Sequence, residues 1–359
     1  MLKMEFSKIR NFIAKERLYI FLLAFIIAAN LIVAFTGGKE ERAEAKPSKI
    51  RAMLERRKDL SQQDIANTVL KDKRLRLIST IFSLSIMLAI TLGLFFFIIV
   101  CMRKRDGETL IVPTVVQGAP GWGIWDACKV AILIVSIGHM IAILESALAG
   151  VFPGIAVSKN VRSVISATIA DTLIFAFIIY FALKARGHRM LALGFSFKNF
   201  IRNCLYGIAG YLATIPVFIL SLALVLWLVM LFKYEPPIQP VLEIFLEEKK
   251  TSVILYLGFF VSVAGPIVEE LFFRGFLYQA IKKHFGVFNA LVASSALFAL
   301  LHANLTGFLP IMILGMLLAY LFERTGTLVA PVCVHVFHNS IMILFVMGAK
   351  EIYGKLGLL

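Results

Sequence analysis

The sequence predicts an all-α protein, a polytopic transmembrane helical bundle of about eight or nine spans. Three observations carry that prediction. Of the 359 residues, 60% are hydrophobic and 16% are charged, whereas soluble chains run nearer to about 45–50% and 25%. Mean hydropathy is +0.87. The apolar residues also fall in runs of about 20, the length that crosses a bilayer. So much apolar surface cannot all be core, which excludes a water-soluble enzyme of one or two ordinary domains.

The runs can be taken in order. Five Lys or Arg in the first 17 residues precede the apolar run 18–35. That run is long for a signal peptide and lacks a small-residue cleavage site, so it reads as an uncleaved first span. Residues 37–76 then carry 12 Lys or Arg and seven Asp or Glu. Their apolar spacing is helical, which predicts a charged helical insert outside the bilayer. Further spans are expected at 77–101, 124–150, 161–184 and 203–232, with an interfacial helix at 185–202. The last third holds apolar stretches at 252–280, 287–303, 308–322 and 328–347. The chain is thus expected to divide into a tail and first span (1–36), the insert (37–76), N-terminal membrane helices (77–250), a C-terminal membrane core (251–347) and a short tail (348–359).

The net charge of +15 does not point to nucleic acid. The basic residues sit at the ends of apolar runs, where they set topology and meet anionic headgroups. The expected location is the cell membrane, with the N-terminus in the cytoplasm and membrane lipids as partners. Placing the insert outside sits uneasily with its basic residues, an imbalance its acids partly offset. Cys101, Cys128, Cys204 and Cys333 lie in or beside apolar runs without CxxC spacing, and read as packing residues.

An ionisable residue inside an apolar run costs a few kcal/mol and needs a reason. Three elements in the last hundred residues concentrate them: Gly265-Pro266-Ile-Val-Glu269-Glu270-Leu-Phe-Phe-Arg274-Gly275, Phe298-Ala-Leu-Leu-His302, and His335-Val-Phe-His338-Asn339. Glu270 and Arg274 are i and i+4 and can pair on one helical face. Glu269 points about 100° away and has no such local partner. Pro266 suits a first helical position, which would put Glu269 near a positive helix end and poise it as a general base. His335 and Asn339 are also i and i+4, and together could donate to an oxyanion. His338 lies on a neighbouring face. On the first element alone, both acids could equally balance Arg274 and cap the segment.

Glu-Glu-x-x-x-Arg, Phe-x-x-x-His and His-x-x-x-Asn, in this order on successive spans, resemble the CPBP (Abi) family. That family includes the type II CAAX prenyl endopeptidases and bacterial proteins linked to bacteriocin processing and immunity. Glu323-Arg324-Thr-Gly-Thr-Leu before the last span also looks like the family. The resemblance covers about residues 252–347. It implies that Glu269 and His302 activate a water for attack on a peptide carbonyl, and that His335 and Asn339 stabilise the oxyanion. Glu270 and Arg274 would support Glu269. No His-Glu-x-x-His zinc signature is present. A zinc held by His302, His335 and Glu269 is chemically open, although a metal-free, glutamate-centred water is the favoured reading.

Geometry raises one conflict. Were 287–303 to cross straight from a cytoplasmic Lys282 and Lys283, His302 would end about 22 Å from that face. Glu269 and His335 would lie nearer to it. For the three to meet, a tilted, broken or re-entrant segment is needed near Gly265-Pro266 or Gly286.

Asp126, His139, Glu145 and Asp171 form a second set of polar residues in apolar runs, for which hydrogen bonding between spans is the plainer account. Trp122 and Trp125, just before a span, read as aromatic-belt anchors. The expected function is an intramembrane endopeptidase acting on a membrane-associated peptide or lipid-modified protein. The alternatives are a non-catalytic scaffold or immunity-type protein, and a transporter, which the lack of an internal repeat disfavours.

Overall fold

The structure, a computed structural model, describes residues 2–40, 60–108, 111, 121–151, 159–184, 190–237 and 239–358. All regular structure among these residues is helical, as expected. Among the described residues, seven helical runs are long and apolar enough to cross a membrane: 73–105, 124–148, 164–184, 200–232, 251–301, 308–325 and 329–355. Of the nine expected stretches, 18–35 lies within the helix α1 (Leu2–Glu40), and 252–280 and 287–303 share one helical run that breaks at Gly286.

The chain forms two compact units. The first comprises residues 1–46 and 124–181. Here α1 packs on α4 (Ile124–Val151), and a buried Lys129–Glu16 ion pair of 2.8 Å joins them. Asn30 Nδ2 approaches His139 Nε2 at 3.2 Å, and the Ser166 hydroxyl donates to Glu145. Hydrogen bonding between helices therefore accounts for His139 and Glu145.

The second unit comprises residues 47–123 and 182–359. The expected insert at 37–76 lies partly outside the described residues. Its described portion includes α2 (Gln62–Lys71), opened by a capping box in which Ser61 and Asp64 satisfy each other's backbone N–H groups. Asp72 then caps α3 (Lys73–Arg105), so the long apolar helix begins inside the predicted insert. Only 6% of the α3 apolar window is buried within the protein, as suits a helix whose remaining face meets lipid. Residues 185–189 of the predicted interfacial helix lie outside the described residues. Beyond them the chain makes a 3₁₀ turn, Met190–Leu193, and runs irregularly before the next helix, so the expected continuous helix is absent there.

With α5 (Lys159–Lys184) preceding that turn, the later elements are α6 (Phe200–Phe232), α7 (Pro240–Glu247), α8 (Thr251–Phe259), α9 (Gly265–Glu270), α10 (Gln279–Leu301), α11 (Phe308–Thr325) and α12 (Val329–Lys355). Helix α6 packs on α3, α11 and α12, while α10 packs on α11. Helix α12 continues to Lys355, so the predicted tail at 348–359 is mostly helical.

The depth conflict disappears at Gly286. Its φ of 78° and ψ of 175° suit glycine alone, and they break α10 into two arms. Glu269 lies 17 residues before Gly286 and His302 lies 16 after it. The later arm folds back: Phe298 meets Phe273 with ring centroids 5.1 Å apart. Two arms of nearly equal length carry Glu269 and His302 about 25 Å from the bend at 1.5 Å per residue. Glu269 is therefore not nearer the Lys282 end than His302.

Candidate active site

Two widened turns flank α9, the second of them holding Arg274. Phe260–Ala264 and Leu271–Tyr278 are π-helical, with α9 between them. Pro266 was expected to start a helix. Instead it lies inside a continuous one, and the π turn just before it absorbs the residue that lacks an N–H. Glu269 therefore has no helix N-terminus beside it, and the expected positive helix end is absent.

Glu270 and Arg274 pair as their spacing predicts. Arg274 Nη1 donates to Glu270 Oε1 at 2.8 Å, with side chains 1% and 0% exposed. Arg274 Nη2 donates to the Gly315 carbonyl at 3.2 Å, and the guanidinium lies 4.6 Å from the Phe298 ring centroid. Gly315 also lets α11 lie close against α10, since a Cβ there would meet Ser295 at 3.0 Å.

His335 completes the group. Its Nδ1 lies 2.7 Å from Glu270 Oε1. A carboxylate accepts, so Nδ1 carries the proton. The other ring nitrogen, Nε2, faces Glu269 Oε2 at 3.8 Å. Glu269 is more open than its neighbour: its side chain is 38% exposed against 0% for Glu270, although each has an Oε2 that is buried with no hydrogen-bond partner. The imidazole thus stands between two adjacent carboxylates, which the sequence alone had left without a common partner.

His302 terminates α10, and Ala303 takes a left-handed conformation (φ 47°) to turn the chain. The Nδ1 of His302 lies 2.8 Å from the Phe298 carbonyl. A carbonyl only accepts, so the proton sits on Nδ1 and Nε2 keeps its lone pair. The Phe298 ring touches both imidazoles, with centroids 4.7 Å from His302 and 5.6 Å from His335. Through one phenyl ring the three motifs meet. Phe298 occurs in the second motif, but nothing in the sequence marked it as the common contact.

Asn339 has a backbone partner of its own. Its Nδ2 donates to the Val261 carbonyl at 2.9 Å. His338 faces away, with Nδ1 2.9 Å from the Tyr211 hydroxyl. Among the described residues, no group of three or more His, Cys, Asp and Glu side chains could hold a metal ion.

Other residues that position the site were missed. Trp122 is no belt anchor: it is 1% exposed, stacks on Phe276 and donates from Nε1 to the Phe276 carbonyl at 3.0 Å. Gln279 Nε2 donates to Ala192 O at 2.6 Å and Gly275 O at 2.7 Å. In the Glu323-Arg324 motif, Glu323 accepts from Tyr278 and Lys282, while Thr327 caps α12 and donates to Ser196 O. An apolar cavity of about 530 Å³ has Phe195, Phe200, Ile208, Ile267, Val336 and Phe337 in its wall, so it draws on two of the helices that carry the site.

These features define a polytopic membrane protein with a glutamate–histidine centre set within its C-terminal helices. Residues 251–341 match the family model described as "Type II CAAX prenyl endopeptidase Rce1-like", in agreement with the motif resemblance. The chain is 31% identical over 83 residues to the "Putative membrane peptidase YdiL" of Bacillus subtilis (strain 168), covering 23% of this chain and 34% of that protein. It is 33% identical over 104 residues to the "Membrane-embedded CAAX protease MroQ" of Staphylococcus aureus (strain USA300), covering 27% and 42% respectively. The chain thus spans less than half the length of either relative. No solved structure matches it significantly. The C-terminal quarter is therefore similar to membrane proteases.

Proposed function

We propose that the protein is an intramembrane endopeptidase that hydrolyses a peptide bond with a water activated by Glu269 and His302. One observation carries this reading: the buried, unpartnered Oε2 of Glu269, 3.8 Å from His335 Nε2. That gap is too long for a direct hydrogen bond and suits an intervening water or substrate oxygen. Glu269 takes a proton from the attacking water and returns it to the leaving amine. His302 assists through the lone pair on Nε2. Held through Nδ1 by Glu270, His335 presents Nε2 to the oxygen on which negative charge develops, as a doubly protonated ring. Arg274 keeps Glu270 paired and the imidazole oriented.

The wall of the 530 Å³ cavity includes Ile267 and Val336, neighbours of Glu269 and His335 in the chain. An apolar space walled by the helices that carry the centre favours a membrane-associated peptide or a lipid-modified protein as substrate. Membrane lipids are the surrounding partners, the N-terminus is cytoplasmic, and no metal takes part. A non-catalytic scaffold is the competing reading, favoured by the Glu270–Arg274–His335 network, which can stabilise the fold without chemistry.

The test is cleavage of a membrane-presented peptide library by the purified protein in lipid nanodiscs, with and without a strong chelator. Cleavage that survives the chelator is the expected result. Loss reversed by added zinc would overturn the metal-free mechanism, and no cleavage of any peptide would favour the scaffold.

A further inference from the structure

The contact made by Asn339 has a cause in the backbone it touches. Within an α-helix the Val261 carbonyl would receive the N–H of Gly265. The first π turn directs that N–H to Phe260 instead. The next N–H in line belongs to residue 266, a proline, which has none. Val261 is thereby left with an acceptor and no donor in its own helix, a state that proteins rarely tolerate. The side-chain amide of Asn339 takes that place at 2.9 Å.

The second π turn also has a side-chain amide on one of its carbonyls. There the Gln279 side chain donates to the Gly275 carbonyl at 2.7 Å, while the Gln279 backbone N–H closes three residues back on Phe276. Each widened turn that brackets α9 thus has a carbonyl served by a side-chain amide. His335 and Asn339, one helical turn apart on α12, hold the segment at two points. His335 grips the Glu270 carboxylate, and Asn339 grips the turn that precedes it.

We propose that Asn339 is a positioning residue. It supplies the hydrogen bond that Pro266 cannot give, holds the π turn at Phe260–Ala264, and so fixes the rotation of α9 that brings Glu269 and Glu270 to His335. A return to α bonding at this turn would rotate α9 by about 100° relative to α8. The kinetic part of this inference rests on Glu269 acting as the base; the structural part does not.

A double-mutant cycle separates the two. Asn339→Leu removes the donor, and Pro266→Ala restores an N–H to the helix. The four proteins are compared in nanodiscs for Tm and for kcat and KM on a cleaved peptide. Asn339→Leu is expected to lower Tm and to cut kcat at least 10-fold with KM changed less than about threefold. Pro266→Ala in that background is expected to recover at least half of the lost Tm and most of the lost kcat. Losses that simply add would overturn the inference. Recovery of Tm without kcat would overturn the positioning role and assign Asn339 to the reacting atoms. If Asn339→Leu fails to fold, Asn339→Ala replaces it in the cycle. If the wild type cleaves nothing, the endopeptidase reading fails, while the Tm arm still decides whether Asn339 serves the Val261 carbonyl.

Discussion

Glu269 and His335 face each other across 3.8 Å, carboxylate oxygen to imidazole nitrogen, with no direct hydrogen bond between them. On its other side the same imidazole is bound at 2.7 Å by Glu270, which is fully buried and paired with Arg274. One carboxylate is thus committed to structure, and its chain neighbour is left available for chemistry.

Glu269→Gln keeps the size of a side chain whose Oε2 has no hydrogen bond to lose. Cleavage is expected to fall by at least about 100-fold, the scale of a lost general base. Tm in nanodiscs should stay within about 2 °C of wild type. A matching drop in Tm would place Glu269 among the structural residues instead.

Arg274→Met is expected to behave differently. It strands the Glu270 carboxylate, 0% exposed, and breaking a buried pair from one side costs about 3–5 kcal/mol. Yield and Tm should fall together with cleavage. Adding Glu270→Gln should restore much of the stability, because it removes the stranded charge, yet restore little cleavage, because His335 loses its anionic anchor. Purification yield, Tm and cleavage rate on the two variants decide this.

His302 stands at an exposed helix end, so His302→Ala should cost little stability while lowering cleavage about 100-fold or more. A decrease in Tm as large as that of Arg274→Met would indicate that the ring serves Phe298 packing and not the water.

Gly286→Val tests the bend. No heavy atom lies within 4 Å of where a Cβ would sit, so the cost is backbone strain alone, about 1–3 kcal/mol. Both Tm and cleavage should fall, the latter because the arms bearing Glu269 and His302 lose their alignment. Gly286→Asn should be almost as damaging, since a ψ of 175° lies outside the left-handed helical region that asparagine tolerates. A wild-type rate in either variant would argue that the alignment is set elsewhere.

Much was legible from residue order. Composition and run length determined a helical membrane protein, because lipid admits long apolar helices and little else. Spacing determined the Glu270–Arg274 pair, because i and i+4 side chains stack whatever surrounds them. The three motifs marked the C-terminal region as the place to look. Tertiary structure alone decided the rest. A π turn inserts a residue without altering composition or polarity, so the expected helix start at Pro266 gave no sign of the widened turn that replaced it. A hairpin at Gly286 and a straight crossing carry the same apolar residues, yet only the hairpin levels Glu269 with His302. The partners of His335 and Asn339 come from a separate stretch of chain, Val261 to Glu270, which helical periodicity within α12 cannot report. Periodicity specifies which face a side chain occupies; only packing specifies what that face meets.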